Sequence, residues 1–440
     1  MTLENLVLLS RRGRFRLAVL VVALVVAMVW ATTWFVQPAP QRRLVLASGL
    51  EDGLNHRYAQ RYIEILARSG VKVEERMTSG AGQNMTLLLD PNSGVDIAFT
   101  QGGLAKPPET DDLVMLASLY YLPMWVFYRG SDEVDQVNEL QYRRIAVGVE
   151  GSGTREFANP VLAVNGLTTG IVMVATSNAA ALRALRSNEV DAAIFVDGAQ
   201  NEAVQSALFD RNLKLMSFAR ADAYVRRMPY IAKVTLPPGM IDFAKNIPEQ
   251  EITLIGTKAM LTARSGLHPA LVNLLLDAAH EIHGGQGAFE RAGEFPGTDP
   301  VDLKVSGEAI DHAKFGPNLL HRYLPFWVAT MAERAIIIVV PLAALLVPLF
   351  HYLPQVLRWR VRSRIYRWYG ELALLERDVA TRGGALPTEK WLADLDRIER
   401  AVAGIRTPAG FASEAYTLRE HIGLVRRAVL ARIAPPPAVS

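Results

Sequence analysis

Between Leu44 and His283 short apolar runs alternate with amphipathic stretches of helical period, the pattern of an α/β fold built on a largely parallel sheet. Leu44 to Ala47 predicts a first strand, followed by a glycine turn and a helix from about Asn55 to Ser69. Val71 to Met77 predicts a second strand. The loop Thr78-Ser79-Gly80-Ala81-Gly82 then leads into a helix through Leu89, and Val95 to Thr100 predicts a third strand. Leu122 to Tyr128 is a longer extended run. Ile145 to Val149, Ile171 to Ala175 and Ala192 to Val196 predict a second set of strands, with a helix over Asn178 to Ser187. Ile252 to Thr262 and a helix over Pro269 to His283 close the pattern. The region from Gly284 to Trp327, richer in Gly, Pro and acidic residues, reads as an irregular linker.

Two apolar runs free of Asp, Glu, Lys and Arg bracket this block, Leu17 to Val36 and Ala335 to Leu353. Each suffices to cross a hydrocarbon core of roughly 30 Å as a helix. Arg11, Arg12, Arg14 and Arg16 precede the first run, and Arg358, Arg360, Arg362, Arg364 and Arg367 follow the second, so the positive-inside bias places both ends in the cytoplasm. Arg42 and Arg43 argue the other way but are outnumbered. The expected layout is a cytoplasmic N-terminus over 1–16, a transmembrane helix over 17–36 and an extracytoplasmic domain over 37–330. A second transmembrane helix over 335–353 and a cytoplasmic helical tail over 354–440 complete it. The setting would be a bacterial inner membrane with the central domain periplasmic. A cleaved signal peptide is the alternative for the first run, although Pro40 would obstruct cleavage after Gln37-Pro38-Ala39. A buried core helix is the alternative for the second. Phe326 and Trp327 are expected at the membrane interface.

Composition narrows the chemistry. The chain has 440 residues, half of them hydrophobic, with 47 Lys and Arg against 44 Asp and Glu, and no cysteine. Absence of cysteine excludes disulfides, thiolate metal sites and a cysteine nucleophile. The basic residues crowd the membrane flanks and tail, which points to the lipid bilayer as a partner and away from nucleic acid.

Polar groups gather where strands end and helices begin, at Ser48-Gly49, Thr78-Ser79-Gly80, Gln101-Gly102-Gly103 and Gly151-Ser152-Gly153-Thr154. Ligands of open α/β sheets bind outside the carboxyl ends of strands, where helix amino termini offer free N–H donors. Each loop taken alone is equally a turn or an N-cap. Leu46 to Gly53, Val71 to Gly82 with Asn84, Val95 to Gln101, Ser118 to Tyr121, Ala146 to Thr154 and Val190 to Ala193 together resemble the TAXI family of solute-binding proteins of TRAP transporters, over roughly 44 to 290.

That resemblance implies a type II periplasmic-binding-protein fold with two lobes, flanked here by two transmembrane helices and a C-terminal α-helical tail. Lobe 1 would combine about 44–122 with 234–300, lobe 2 about 130–220, with crossovers near Leu122 to Arg129 and Arg220 to Lys233. It further implies capture of a small organic acid, an amino acid or dicarboxylate, for delivery to a TRAP-type membrane permease, without enzymatic chemistry or cofactor. The family's glycine pair followed by a tyrosine pair is replaced by Asp52-Gly53-Leu54-Asn55-His56, and Glu51 and Asp52 would oppose a carboxylate unless they point away.

Candidate ligand-binding residues are Ser48, Gly49 and Asn55 in the first loop, Thr78, Ser79 and Gly80 in the second, and Gln101 at the third strand's end. Tyr120 or Tyr121 would wall the pocket. Gly151, Ser152, Gly153 and Thr154 would hold a carboxylate at a helix start, with Arg155 supplying charge or standing solvated. Asp197 would receive a ligand ammonium or merely form a turn with Gly198.

Enzyme-like patterns fail. Gly148 to Arg155 lacks the lysine of a phosphate loop, and His280-Glu281-Ile282-His283 spaces its histidines by three where zinc proteases need four, so it reads as a polar helix end. Ser152 forms no nucleophile elbow. Beyond Leu353, a basic stretch from Trp359 to Tyr369 continues as helix with Leu372, Leu374, Leu375 and Val379 at helical spacing. Helices over about Glu389 to Ile405 and Ser413 to Ile433 then predict a hairpin or coiled-coil element that anchors, or that binds a cytoplasmic partner as a sensor would.

Overall fold

The computed structural model describes residues 11–33, 39–316, 320, 323–381, 388–404 and 411–431. It divides into two compact units, residues 38–332 and residues 1–37 with 333–440. The first unit is mixed α/β. Its strands are β1 (Arg43–Ala47), β2 (Lys72–Arg76), β3 (Ile97–Gln101), β4 (Leu113–Tyr128), β5 (Arg144–Val147), β6 (Val172–Ala175), β7 (Ala192–Val196), β8 (Lys214–Leu215), β9 (Ala232–Leu236) and β10 (Ile252–Arg264). They run in the order β2-β1-β3-β10-β4-β7-β5-β6, with β8 beside β4 and β9 beside β10. β1 is parallel to β2 and β3, and β5 is parallel to β6 and β7, while β10 and β4 run antiparallel to their neighbours.

One strand serves both halves of this sheet. Residues 113–123 of β4 pair with β10, and from Met124 onward β4 pairs with β7. The change of partner lies inside the extended run expected at 122–128, but the strand starts nine positions earlier, at Leu113. Its sixteen residues carry no charge and nearly all are buried, as befits a strand covered on both faces. β10 changes partner similarly: Ile252 to Gly256 pair with β9, and Gly256 to Arg264 pair with β4. That change falls at Gly256, downstream of the segment 220–233.

Helices α2 (Leu54–Arg68), α3 (Ala81–Leu89), α4 (Gly153–Val164), α5 (Asn178–Arg186), α6 (Glu202–Leu208), α7 (Ala221–Arg227) and α8 (Pro269–His283) follow or separate these strands. Each begins just after a strand's end or a turn. α8 starts with Pro269 inside its first turn and the His268 side chain accepting the Ala270 N–H, a geometry that fixes its start at the expected residue. The core is continuous across both halves, with Trp125, Phe127, Phe195, Phe157, Tyr62 and Phe99 among its largest buried side chains.

Two expectations are corrected here. Residues 284–316 are not a loose linker: Phe295, Leu303 and Ala309 are buried, Gly297 and Val305 bridge to Ser118 and Met115 of β4, and Gly307–Phe315 forms helix α9. The Asp302 carboxylate accepts the N–H groups of Gly103, Leu104 and Ala105 at 2.6, 3.1 and 3.2 Å, which ties this segment to the end of β3. Burying Phe295 and these apolar side chains outweighs the turn-forming composition. His283, expected at a polar helix end, is instead buried, stacked on Tyr120 with ring centroids 5.6 Å apart and edge-on to Tyr58 at 4.6 Å. Burial lowers its pKa to about 3, so the imidazole is neutral.

In the second unit, helix α1 (Arg11–Thr33) contains the apolar stretch Val21–Ala31, and residues 34–36 of the first apolar run lie outside the described residues. Helix α10 (Phe326–Thr381) carries the second run without interruption at Pro341 or Pro348. Among the described residues one segment is long and apolar enough to cross a membrane, Phe326–Leu349, so two spans are not shown. Phe326 itself is buried in the core of residues 38–332, and the Arg42 guanidinium lies 4.7 Å from the centre of the Trp327 ring. The end of α10 joins α11 (Thr388–Ala403) and α12 (Ala412–Ala431) around a separate apolar core that includes Leu372, Leu375, Trp391, Leu395, Leu418 and Ile422.

Candidate ligand-binding cleft

The carboxyl ends of the strands from both halves face a common cavity of about 70 Å³. Gly49, Asp52, Asn55, Ser79, Gly80 and Gln101 line it from the side of β1 to β3, and Ser152, Gly153, Thr154, Ser177, Asn178 and Asp197 from the side of β5 to β7. This is the crevice that open α/β sheets present to ligands.

Glycines let the two sides meet backbone to backbone. Gly80 has φ +129°, and a Cβ there would stand 3.2 Å from the Gly153 nitrogen and the Ser152 Cα. A Cβ on Gly153 would stand 2.3 Å from Gln101 Oε1. Across this contact Gln101 Nε2 donates to the Gly153 carbonyl at 2.8 Å, and the Gln83 N–H donates to the Gly151 carbonyl at 3.0 Å.

A side chain of one side also caps a helix of the other. Helix α5 has Ser177 at its N-cap position, yet that side chain makes no capping bond. The Asp52 carboxylate accepts the Ala179 N–H at 3.2 Å in its place. Helix α2 has Gly53 as N-cap and so no side chain to use. The Asp197 carboxylate lies near the backbone of Leu54 there, and accepts the Gly198 N–H at 2.9 Å and the side-chain amides of Asn201 and Asn178 at 2.8 and 3.2 Å. Asn201 also donates to the Asp52 carbonyl at 3.1 Å, and the Trp125 indole donates to the Asp197 carbonyl at 2.8 Å. Burial pushes Asp197 up to about 7, against the pull of the donors from Gly198 and Asn201.

Of the residues singled out by sequence, Gly49, Asn55, Ser79, Gly80, Gln101, Ser152, Gly153, Thr154 and Asp197 line the cavity. Six do not. Ser48 is wholly buried, and Thr78 spends its hydroxyl on Asn84 Oδ1 at 2.6 Å. Tyr120 is buried and reaches the site only through Asn55, to whose Oδ1 its hydroxyl donates at 2.8 Å. Tyr121 points to Glu294, with a 2.8 Å bond, and meets Phe295 edge-on. Gly151 contributes its carbonyl to Gln83, and Arg155 stands outside the lining with its N–H bonded to Ser152 Oγ at 3.2 Å. The hydroxyls of Ser152 and Thr154 serve the fold, since Ser152 caps α4 and Thr154 Oγ1 accepts the Val196 N–H at 3.1 Å.

Sequence reasoning missed Ser177, Asn178 and Asn201. The available signal was position, because each stands between a strand's end and a helix start. Asn201 caps α6 through the N–H groups of Ala203 and Val204.

No curated protein is significantly similar to the chain. Among solved structures, an ancestral arginine-binding protein bound to arginine is 14% identical, with a TM-score of 0.36, over 56% of this chain and 93% of its own. The periplasmic aliphatic sulphonate binding protein SsuA from Escherichia coli is 16% identical, with a TM-score of 0.37, over 56% of this chain and 74% of its own. The CcmR regulatory domain from Synechocystis PCC6803, in complex with 2-PG, is 14% identical, with a TM-score of 0.37, over 56% of this chain and 98% of its own. Residues 58–288, more than half of the chain, match the model of the NMT1-like family, and the chain belongs to that family.

Proposed function

We propose that the chain is a membrane-anchored solute-binding receptor of the TAXI type, which captures a small organic acid between two lobes and passes it to a TRAP-type permease. The observation that carries the reading is the cavity where the strand ends of both sheet halves meet, in a member of the NMT1-like family. Two strands, β4 and β10, run through the junction as the two crossovers of a type II binding protein would. The reading is binding without chemistry, since the Ser152 and Thr154 hydroxyls are committed to the fold.

Anchoring at both ends of the outer domain is supported by Arg42 and Trp327. These residues, near the two ends of the 38–332 unit, are in contact, so the chain enters and leaves the domain at one place. A tether of this kind raises the local concentration of receptor at a membrane partner.

The test uses full-length protein in detergent or nanodiscs, screened by thermal shift against small carboxylates and amino acids, because a ligand of the native state raises its apparent stability. A shift that disappears in Gln101→Ala is expected. Absence of any shift across the set, or a shift that survives Gln101→Ala together with Asp52→Ala, overturns the assignment.

A sensor is the second reading, favoured by the tail helices having an apolar core of their own. Truncation after residue 353 separates the two: lost signalling with retained uptake supports the sensor, and lost uptake supports transport.

A further inference from the structure

Building on the receptor reading, we propose that the cleft selects a solute bearing an amino group and rejects dicarboxylates, with Asp52 as the specificity-determining residue. The ionisable side chains among the described lining residues are Asp52 and Asp197, and no Lys, Arg or His lines the cavity. Arg155, the cation of the neighbouring loop, is not in the lining.

Helix amino termini could have compensated for this, because they attract anions. Here each of three has one of its first-turn donors engaged across or beside the cleft. The Ala179 N–H of α5 goes to Asp52, the Arg155 N–H of α4 to Ser152, and the Gln83 N–H of α3 to the Gly151 carbonyl. The start of α2 is met by Asp197. One carboxylate can use the remaining N–H groups, but a second one meets no basic side chain in the lining and stands beside the carboxyl groups of Asp52 and Asp197.

An ammonium meets the opposite situation. Asp52 lines the cavity, uses Oδ2 for Ala179 and has no hydrogen bond to Oδ1 among the described residues. The Asp52 charge also acts on Asp197 and disfavours its ionisation. A cation between the two relieves that repulsion, whereas a second anion adds to it. Asp197, its oxygens occupied by Gly198, Asn178 and Asn201, acts as a positioning residue behind Asp52.

The experiment is isothermal titration of the full chain in nanodiscs with glycine, L-alanine and ethanolamine against succinate and L-malate, at fixed pH and ionic strength. The amino-group probes are expected to bind at least about tenfold more tightly than the dicarboxylates. Asp52→Asn, which can still accept the Ala179 N–H, is expected to weaken the amine probes by a similar factor while leaving the unfolding temperature near wild type. Succinate or malate binding as tightly as the amines overturns charge selection and leaves the receptor reading standing. So does amine affinity unchanged in Asp52→Asn, or a hit lacking an amino group in the wider screen. Failure of every solute to bind removes the receptor reading and this inference together.

Discussion

The carboxylate of Asp52 accepts the backbone N–H of Ala179 at 3.2 Å across 127 positions of sequence, while Ser177, at the helix's own N-cap, makes no capping bond. The cap of α5 is thus a tertiary contact. Asp52→Ala is expected to cost about 1 kcal/mol, the usual value of a lost N-cap, and Ser177→Ala less than about 0.5 kcal/mol. Urea unfolding followed by tryptophan fluorescence measures both. Equal effects would show that the cap is local after all.

Asp197 sets a pH dependence whose sign is fixed by burial. Its pKa is raised from 3.8 to about 7, so its contribution to stability is complete below about pH 4 and is lost as pH rises through 7. The group loses at most roughly 4 kcal/mol over that window, at 1.36 kcal/mol per pH unit. Asp197→Asn should flatten this part of the stability profile. An unchanged slope between pH 4 and 7 in the variant would exclude Asp197 as its source.

Gly80→Ala should damage the junction without touching the core. Its φ of +129° is strained for any L side chain, and the new methyl would press on the Gly153 nitrogen and the Ser152 Cα at 3.2 Å. A loss of about 1–3 kcal/mol is expected, with greater separation of the two sheet halves visible by small-angle scattering of the nanodisc-embedded chain relative to wild type. Gly94→Ala, where a Cβ meets nothing within 4 Å, is the control for backbone strain alone.

Removing Asp302 should release the segment after α8. Three backbone N–H groups of residues 103–105 lose their acceptor in Asp302→Ala, at a cost of about 2–3 kcal/mol. Limited proteolysis should then cut first between residues 284 and 306. Unaltered protease resistance would mean that Phe295 and Leu303 hold the segment unaided.

The tail is expected to respond independently. Leu395 is fully buried in the core shared by α10, α11 and α12, so Leu395→Ala should cost about 2–5 kcal/mol in that unit. Faster hydrogen exchange should be confined to residues 365–431, with solute binding unchanged. Altered exchange around Gln101 would contradict this separation.

The parts of this fold legible in sequence are those where burial alone dictates the residue type. β7 was expected at Ala192–Val196, and its five apolar residues are all buried. α8 was marked at both ends, by Pro269 and by Gly284. The start of β4 was not legible, because its buried Ser118 and paired tyrosines break the apolar run within a strand that Leu113 begins. Asp302 was hidden for a different reason: its three donors lie about 200 positions upstream, and only closure of the tertiary structure brings them together. The glycine loops of the cleft stood out as turns after strands. Which of their side chains face inward depended on contacts across the junction such as Asp52 to Ala179, a relation that no local pattern encodes.

A mechanical consequence follows from the two strands that run through the junction. Because β4 passes unbroken from β10 to β7 at Pro123–Met124, and β10 passes beside it with Gly256 tight against the Leu122 carbonyl, the halves are joined without slack. Parting them must wind a two-stranded ribbon. Any movement of one half against the other is therefore taken up at Leu122–Met124 and Gly256.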